Sequence, residues 1–209
     1  MLGTRAPSAK SYDEIVVLGG ATTGNALRSA LAAEAARKTQ GWELVGLTSH
    51  RPIGDSEHVT DPDSIEDQTE WRNLRRQIER YFGPLFPSAA SRTDEEEQVF
   101  NTNDGRRISL LVAGVPDKRV NTADQIEFLC QRRAPALRRS VLLVTNAIYA
   151  PYQFFTAAPL MLRSGTRRVE LIGTDTSTSE LHARLYQRLA QEIHSGIGAA
   201  LNILGGSPV

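Results

Sequence analysis

Cysteine is almost missing from this chain: Cys130 is the only one in 209 residues, so no intrachain disulfide can form, and no Cys/His cluster has zinc-ligand spacing. Aromatic residues are scarce at 6%, which leaves Leu, Val, Ile and Ala to fill the interior. Net charge is absent as well. Twenty-four basic residues balance 24 acidic ones, removing any global attraction to nucleic acid or to an anionic membrane. No apolar run approaches the roughly 20 residues that cross a bilayer as a helix. Asp13 and Glu14 precede only a short Ile-Val-Val-Leu run, so the N-terminus lacks a signal-peptide core. These absences fit a soluble, cytoplasmic protein with no nucleic-acid or membrane partner. The length suits one substantial core. The expected organisation is a flexible N-terminal arm over residues 1–12 and a single α/β domain over 13–209.

What is present alternates between two periodicities. A run from Glu14 to Leu18 ends at Gly19-Gly20 and reads as a strand buried on both faces. Residues 23–38 follow as a helix with Leu27, Ala30, Leu31 and Ala35 on its inner face. A second strand covers 43–48. A helix over 65–82 carries Trp71, Leu74, Ile78, Tyr81 and Phe82 at three- and four-residue intervals and stops at Gly83-Pro84. Residues 87–104 read as a surface excursion with a short strand at 98–100. Further βα units place strands at 108–113, 141–145 and 169–173, with helices over 122–131 and from Pro151 through Leu162. A long closing helix spans 179–204, with Leu181, Leu185, Leu189, Ile193, Ile197 and Leu201 nearly four apart. Such alternation implies a mainly parallel sheet of about five strands, covered on both faces.

In sheets of this kind ligands collect at the carboxyl ends of the strands. The first such end, Gly19-Gly20-Ala21-Thr22-Thr23-Gly24-Asn25, combines glycines that allow close backbone approach with a helix start able to hold an anion. It is neither the Gly-x-Gly-x-x-Gly fingerprint nor a P-loop; the plain alternative is a tight strand-to-helix turn. Arg28 is either an anion contact or a partner for a carboxylate. The second end offers Ser49, His50 and Arg51, followed by Asp55, Glu57 and His58, and so provides acid–base and anion-binding groups. The irregular spacing of His50, Asp55 and His58 argues against a metal site. After the third strand come Asn121 and Thr122, which read as helix caps or as ligand contacts. The fourth supplies Thr145, Asn146 and Tyr149. Phe154 and Phe155 read as core residues, Cys130 as a buried small residue, and Arg132, Arg133, Arg138 and Arg139 as solvated.

Taken in order, residues 14–175 resemble the bacterial YdcF/SanA/ElyC-like family, domain of unknown function 218. Val16-Val17-Leu18-Gly19-Gly20 is similar to its opening strand and turn, and Arg28 stands where that family has an arginine. Leu47-Thr48-Ser49 matches its second strand end, with Glu57 as the acidic residue beyond. Asn121-Thr122-Ala123-Asp124-Gln125 is similar to its Asn-Thr-x-x-Asn segment, with Gln125 in the last place. The stretch from Val144 to Tyr152 resembles Val-Thr-Ser-x-x-His-x-x-Arg, with Tyr149 and Tyr152 replacing the histidine and arginine. The resemblance implies a Rossmann-like three-layer sandwich with a polar pocket at the strand ends, and S-adenosylmethionine or another nucleotide-like molecule as ligand.

The resulting expectation is a domain that binds a polar, phosphorylated or nucleotide-like small molecule, with hydrolase or group-transfer chemistry. Gly19, Gly20, Thr22, Thr23, Gly24 and Asn25 form the anion-facing turn, and Arg28 and Arg51 supply counter-charge. Ser49, Asn121, Thr122, Thr145, Asn146 and Tyr149 orient the ligand. His50 or Glu57 acts as acid or base. The alternative is a catalytically inactive ligand-sensing or self-associating protein, consistent with a homo-oligomer.

Overall fold

A computed structural model describes residues 6–54, 69–83, 92–93, 96–102, 104–114, 120–133 and 139–174, with isolated positions between 194 and 201. The elements in chain order are β1 (Glu14–Leu18), α1 (Thr22–Lys38), β2 (Glu43–Ser49), α2 (Glu70–Phe82), β3 (Arg92–Thr93), β4 (Glu97–Asn101), β5 (Arg107–Ala113), α3 (Thr122–Arg133), β6 (Ser140–Asn146), a 3-10 turn (Ala147–Tyr149), α4 (Ala150–Arg163) and β7 (Arg168–Thr174). The sheet runs β3-β4-β5-β2-β1-β6-β7. Its five strands from β5 to β7 are mutually parallel. The fold is therefore α/β with a mainly parallel sheet, compatible with a Rossmann-like sandwich.

The expected five-strand sheet is extended by an antiparallel hairpin, β3-β4, on the β5 edge. Only the short strand at 98–100 signals it in the sequence. The turn from β4 to β5 closes because Gly105 adopts φ 79°, a conformation that costs glycine little. The Thr102 hydroxyl accepts the Arg106 N–H at 2.9 Å and fixes the return.

Both sheet faces are buried, which explains why the strands are continuous apolar runs rather than alternating ones. On one face Ile15, Val17, Leu44 and Ile108 pack against α1 and α2 through Ala32, Ala36, Leu74 and Ile78. On the other, Val16, Leu18, Val45 and Leu47 meet Ile126 and Leu129 of α3 and Ala157 and Met161 of α4. The chain visits β2 and β5 on one side of β1, then crosses to β6 on the other. That reversal of strand order lies between β1 and β6.

Several expectations about which residues face inward need correction. Helix α1 buries Asn25, Arg28, Ser29, Ala32 and Ala36, leaving Leu27, Ala30 and Leu31 only half-buried. Its small residues let α1 lie close to the sheet and to α2, and its polar ones find partners at the strand ends. Phe154 and Phe155 are exposed at 37% and 42%, so they are not core; Tyr81 is exposed as well. Arg133 is largely buried and Arg139 partly so, both in a charge network with Glu14, while Arg132 pairs with Glu96 and Arg138 lies outside the described residues. Tyr12, just before β1, is buried, and its hydroxyl donates to Glu170 of β7 at 2.6 Å. The closing helix expected over 179–204 lies, apart from a few positions, outside the described residues, as does the start of the helix expected from residue 65.

Candidate functional site

The carboxyl ends of β6, β1 and β2 lie side by side, because β1 pairs with both of the others. Around them the structure gathers a cluster of polar side chains, most of them buried. Arg28, one turn and a half into α1, is 3% exposed. Its Nη1 donates to the carbonyls of Leu18 and of Gly19, the latter at 2.6 Å, and its Nε to Asn146 Oδ1 at 3.2 Å. Asn146 Oδ1 also accepts from the Thr174 hydroxyl at 3.1 Å. One cation thus ties the end of β1 to the ends of β6 and β7.

A second group crosses from α1 to α2. Asn25 Oδ1 accepts the Gly20 N–H at 2.9 Å, while its Nδ2 donates to Asn73 Oδ1 at 2.9 Å. Glu70, at the first position of α2 and 4% exposed, accepts from the Thr48 hydroxyl at 2.9 Å and from Arg51 Nε at 3.0 Å. Arg51 stands at the rim with its side chain one-third exposed. Burial pushes the Glu70 carboxyl above its ordinary range, against the opposing pull of Arg51, Thr48 and Arg28. Burial draws the Arg28 guanidinium down to about 10, countered by Tyr149 and Glu70, so it is charged at neutral pH.

These contacts explain the glycines. A methyl group on Gly19 would lie 2.5 Å from Glu70 Oε1, one on Gly20 2.8 Å from Arg28 Nη1, and one on Gly24 3.1 Å from Asn146 Nδ2. Each glycine therefore makes room for a side chain of the protein itself. The N–H of Gly19 is taken by the Leu47 carbonyl and that of Gly20 by Asn25. What this turn offers an anion is the positive dipole end of α1, whose N-cap residue Ala21 contributes no side-chain cap of its own.

The structure brings together Gly19, Gly20, Gly24, Asn25, Arg28, Arg51 and Asn146, and places Thr22 and Thr23 in the first turn of α1. The Tyr149 ring lies 5.9 Å from the Arg28 guanidinium. Ser49 is buried, and its hydroxyl accepts the Arg51 N–H at 3.3 Å. His50 follows directly and is half-buried. Thr145 is fully buried with its hydroxyl bonded to Gln153. Asn121 and Thr122 stand at the head of α3, which follows β5. Asn121 Oδ1 accepts the Asp124 N–H at 3.0 Å and Asp124 Oδ2 accepts the Asn121 N–H at 3.2 Å, a reciprocal cap. Glu57, Asp55 and His58 lie outside the described residues. Among the described residues no group of three or more His, Cys, Asp or Glu is placed to hold a metal ion, and no helix is long and apolar enough to cross a membrane.

Sequence reasoning missed Glu70 and Asn73, and found Thr48 and Gln153 only as parts of the strand-end segments. A signal for the first two exists. Positions 70, 73, 74, 77 and 78 share one helical face, and polar residues interrupt the apolar stripe there. Burial of those groups marks a polar site beneath α2.

Fold and cluster together define an α/β protein with buried polar groups at a topological switch point, the position where ligands bind in open sheets. Compared with known proteins, the chain matches no family model and no curated sequence.

Proposed function

We propose that this protein binds a polar, anionic small molecule, phosphorylated or nucleotide-like, over the start of α1. The observation that carries the reading is the position of the α1 N-terminus, whose dipole favours negative charge, beside the β1/β6 switch point, underlain by the buried Arg28 charge. Arg28 has its Nη1 and Nε engaged with the protein, so it contributes field rather than a flexible arm. Arg51, held by Glu70 at the rim, is the direct counter-charge. S-adenosylmethionine, nucleoside-containing but a net cation, would fit through its carboxylate at the helix start and its sulfonium on the Glu70 side. The resemblance to the YdcF-like family supports the same location and belongs to this proposal. So does hydrolysis or group transfer with His50 or Glu57 as acid or base.

Binding without turnover is the second reading. Tyr149 stands beside Arg28 where the family's histidine is expected, and a phenol does not replace an imidazole as a proton shuttle near neutral pH.

Thermal-shift screening with nucleoside phosphates, sugar phosphates and S-adenosylmethionine tests the reading. A ligand at a hundred times its Kd stabilises by about 2.7 kcal/mol, and Arg51→Ala is expected to weaken its binding about tenfold, roughly one charge-assisted contact. No shift with any of the three classes, or equal binding by Arg51→Ala, rejects the site. If a bound ligand is turned over, undiminished rates in both His50→Ala and Glu57→Ala remove those two residues from the chemistry.

A further inference from the structure

The opposite end of the sheet carries a second concavity that the switch-point site does not use. It opens at the amino ends of β2 and β5, between the last turns of α1 and α2, and has a volume of about 470 Å³. That lies within the range of about 300–1,000 Å³ typical of small-molecule pockets. Its existence follows from the sequence of α1. Ala33 and Ala36 line it where larger residues would fill the space beside α2. Aromatic rings are few in this chain, yet Trp42, Tyr81 and Phe82 converge here. Trp42 meets Phe82 edge-on with centroids 6.0 Å apart, and its indole N–H donates to the Ala36 carbonyl at 3.0 Å. Tyr81 leaves 37% of its surface open.

Charge at the mouth is positive. The Arg106 guanidinium lies over Trp42, 4.4 Å from the ring centroid, and its Nε pairs with Asp104 at 3.2 Å. Stacking on one side and pairing on the other hold this cation in place, so little side-chain entropy is lost when it meets a ligand. Arg37 joins it from α1 and is exposed. Two helix C-termini point toward the groove and favour cations, but Arg37 and Lys38 in the last turn of α1 and Arg80 in that of α2 answer them. Among the described residues that line the groove there is no acidic side chain, and Asp104 beside it is paired with Arg106.

We propose that this groove binds a planar aromatic anion, its ring against Ala33, Ala36, Phe82 and Tyr81 and its acid group toward Arg106 and Arg37. The pairing of the open Tyr81 ring with the guanidinium charge of Arg106 and Arg37 distinguishes it from a simple hydrophobic dent. It is independent of the reading at the strand ends, and the two fail separately because they share no residue.

The probe is 1-naphthoate, measured by equilibrium dialysis against the full chain, with 1-naphthalenemethanol as the neutral counterpart. Naphthoate is expected to bind with a Kd below about 1 mM (1 mM is roughly 4 kcal/mol) and at least fivefold more tightly than the alcohol. The double variant Arg37→Gln/Arg106→Gln changes exposed side chains and leaves the fold intact by circular dichroism; it should weaken naphthoate at least tenfold and the alcohol less than twofold. In a Trp71→Phe background emission comes from Trp42 alone, and naphthoate should quench it. Absence of binding, equal affinity for the alcohol, or an unaltered double variant overturns the proposal. So does a concentration-dependent dimer that excludes the probe, since the groove would then be an interface between two copies.

Discussion

Charge is buried at both ends of the same sheet, and the two ends solve the problem differently. At the carboxyl ends, Arg28 is held by two carbonyls and an asparagine oxygen, and Glu70 by a hydroxyl and one arginine at the rim. At the amino ends, on the α3 and α4 face, opposite charges meet directly. Glu14 pairs with Arg139, and lies 3.5 Å from Arg133, which in turn lies 3.6 Å from Glu97; Glu97 takes Arg107 at 2.9 Å. With Glu43 3.9 Å from Arg139, three carboxylates face three arginines, so the second network neutralises itself and clamps β1, β2, β4, β5, α3 and the start of β6. The first leaves a cation beneath a helix start with neutral dipoles as its near neighbours. A self-neutralised cluster serves stability, whereas a charge compensated by dipoles still projects a field toward a ligand.

The sharpest break of that contrast is Arg28. Its replacement by Met strips hydrogen bonds from the Leu18 and Gly19 carbonyls and from Asn146 at a buried site. At about 1–3 kcal/mol for each orphaned group, the loss in urea-unfolding stability should reach about 3–5 kcal/mol. Arg28→Lys keeps the charge but a single amine does not span the three acceptors, so it should recover less than half. A loss below about 1 kcal/mol would show that the strand ends do not depend on this residue.

Glu14 gives the next largest effect and the cleaner separation of roles. Glu14→Gln leaves Arg133 and Arg139 facing each other without their shared anion. Breaking a buried pair costs about 3–5 kcal/mol, but Arg139 is 30% exposed and water shares its charge, so about 2–3 kcal/mol is expected. Binding at the strand ends should change less than twofold. Arg51→Ala should do the reverse in affinity, costing ligand binding; it also removes a partner of the buried Glu70, so its destabilisation should approach that of Glu14→Gln. If Glu14→Gln weakened the ligand as much as Arg51→Ala, the two ends would not be functionally distinct.

The parallel sheet was legible in the chain because β1, β2, β5 and β6 are buried on both faces and so read as short apolar runs, as does the edge strand β7, which is buried over its second half. The antiparallel β3-β4 hairpin was barely legible, since Arg92–Thr93 and Glu97–Asn101 are polar and their pairing is decided by the neighbouring β5 edge. The glycine turn was found, but its cause was not. Gly19, Gly20 and Gly24 are required by Glu70, Arg28 and Asn146, residues 51, 8 and 122 positions away, and no local pattern records such contacts. Glu70 escaped notice because a glutamate at the first turn of a helix is common for dipole reasons alone. Tertiary placement, not spacing, turns it inward. Arg133 and Arg139 misled for the same reason: clustered arginines signal a solvated face unless a carboxylate such as Glu14 sits under them.

The smallest effect concerns protons. Glu70 is an acid whose carboxyl is pushed up in the folded state, chiefly by burial, so the folded protein holds this proton more tightly than the unfolded chain does. Stability must then fall as pH rises from the ordinary value of 4.5 through the raised one, with a slope of at most about 1.4 kcal/mol per pH unit for one proton. Glu14 contributes with the same sign, again chiefly through burial. Glu170 has the opposite sign. Burial alone would raise it, but hydrogen bonds from Tyr12 and Ser8 and the charge of Arg168 bring it below its ordinary value, so its contribution is lost as pH falls through that depressed value. Glu70→Gln removes one term and leaves the other two, and its lost pairing with Arg51 is a nearly constant offset at pH values where Glu70 is ionised. The stability difference, wild type minus Glu70→Gln, should therefore decline as urea titrations are repeated from pH 4.5 toward 7. A difference that rises over that interval would mean that Arg51 and Thr48 outweigh burial, making Glu70 a stabilising anion like those of the amino-end network rather than a strained carboxylate at the site.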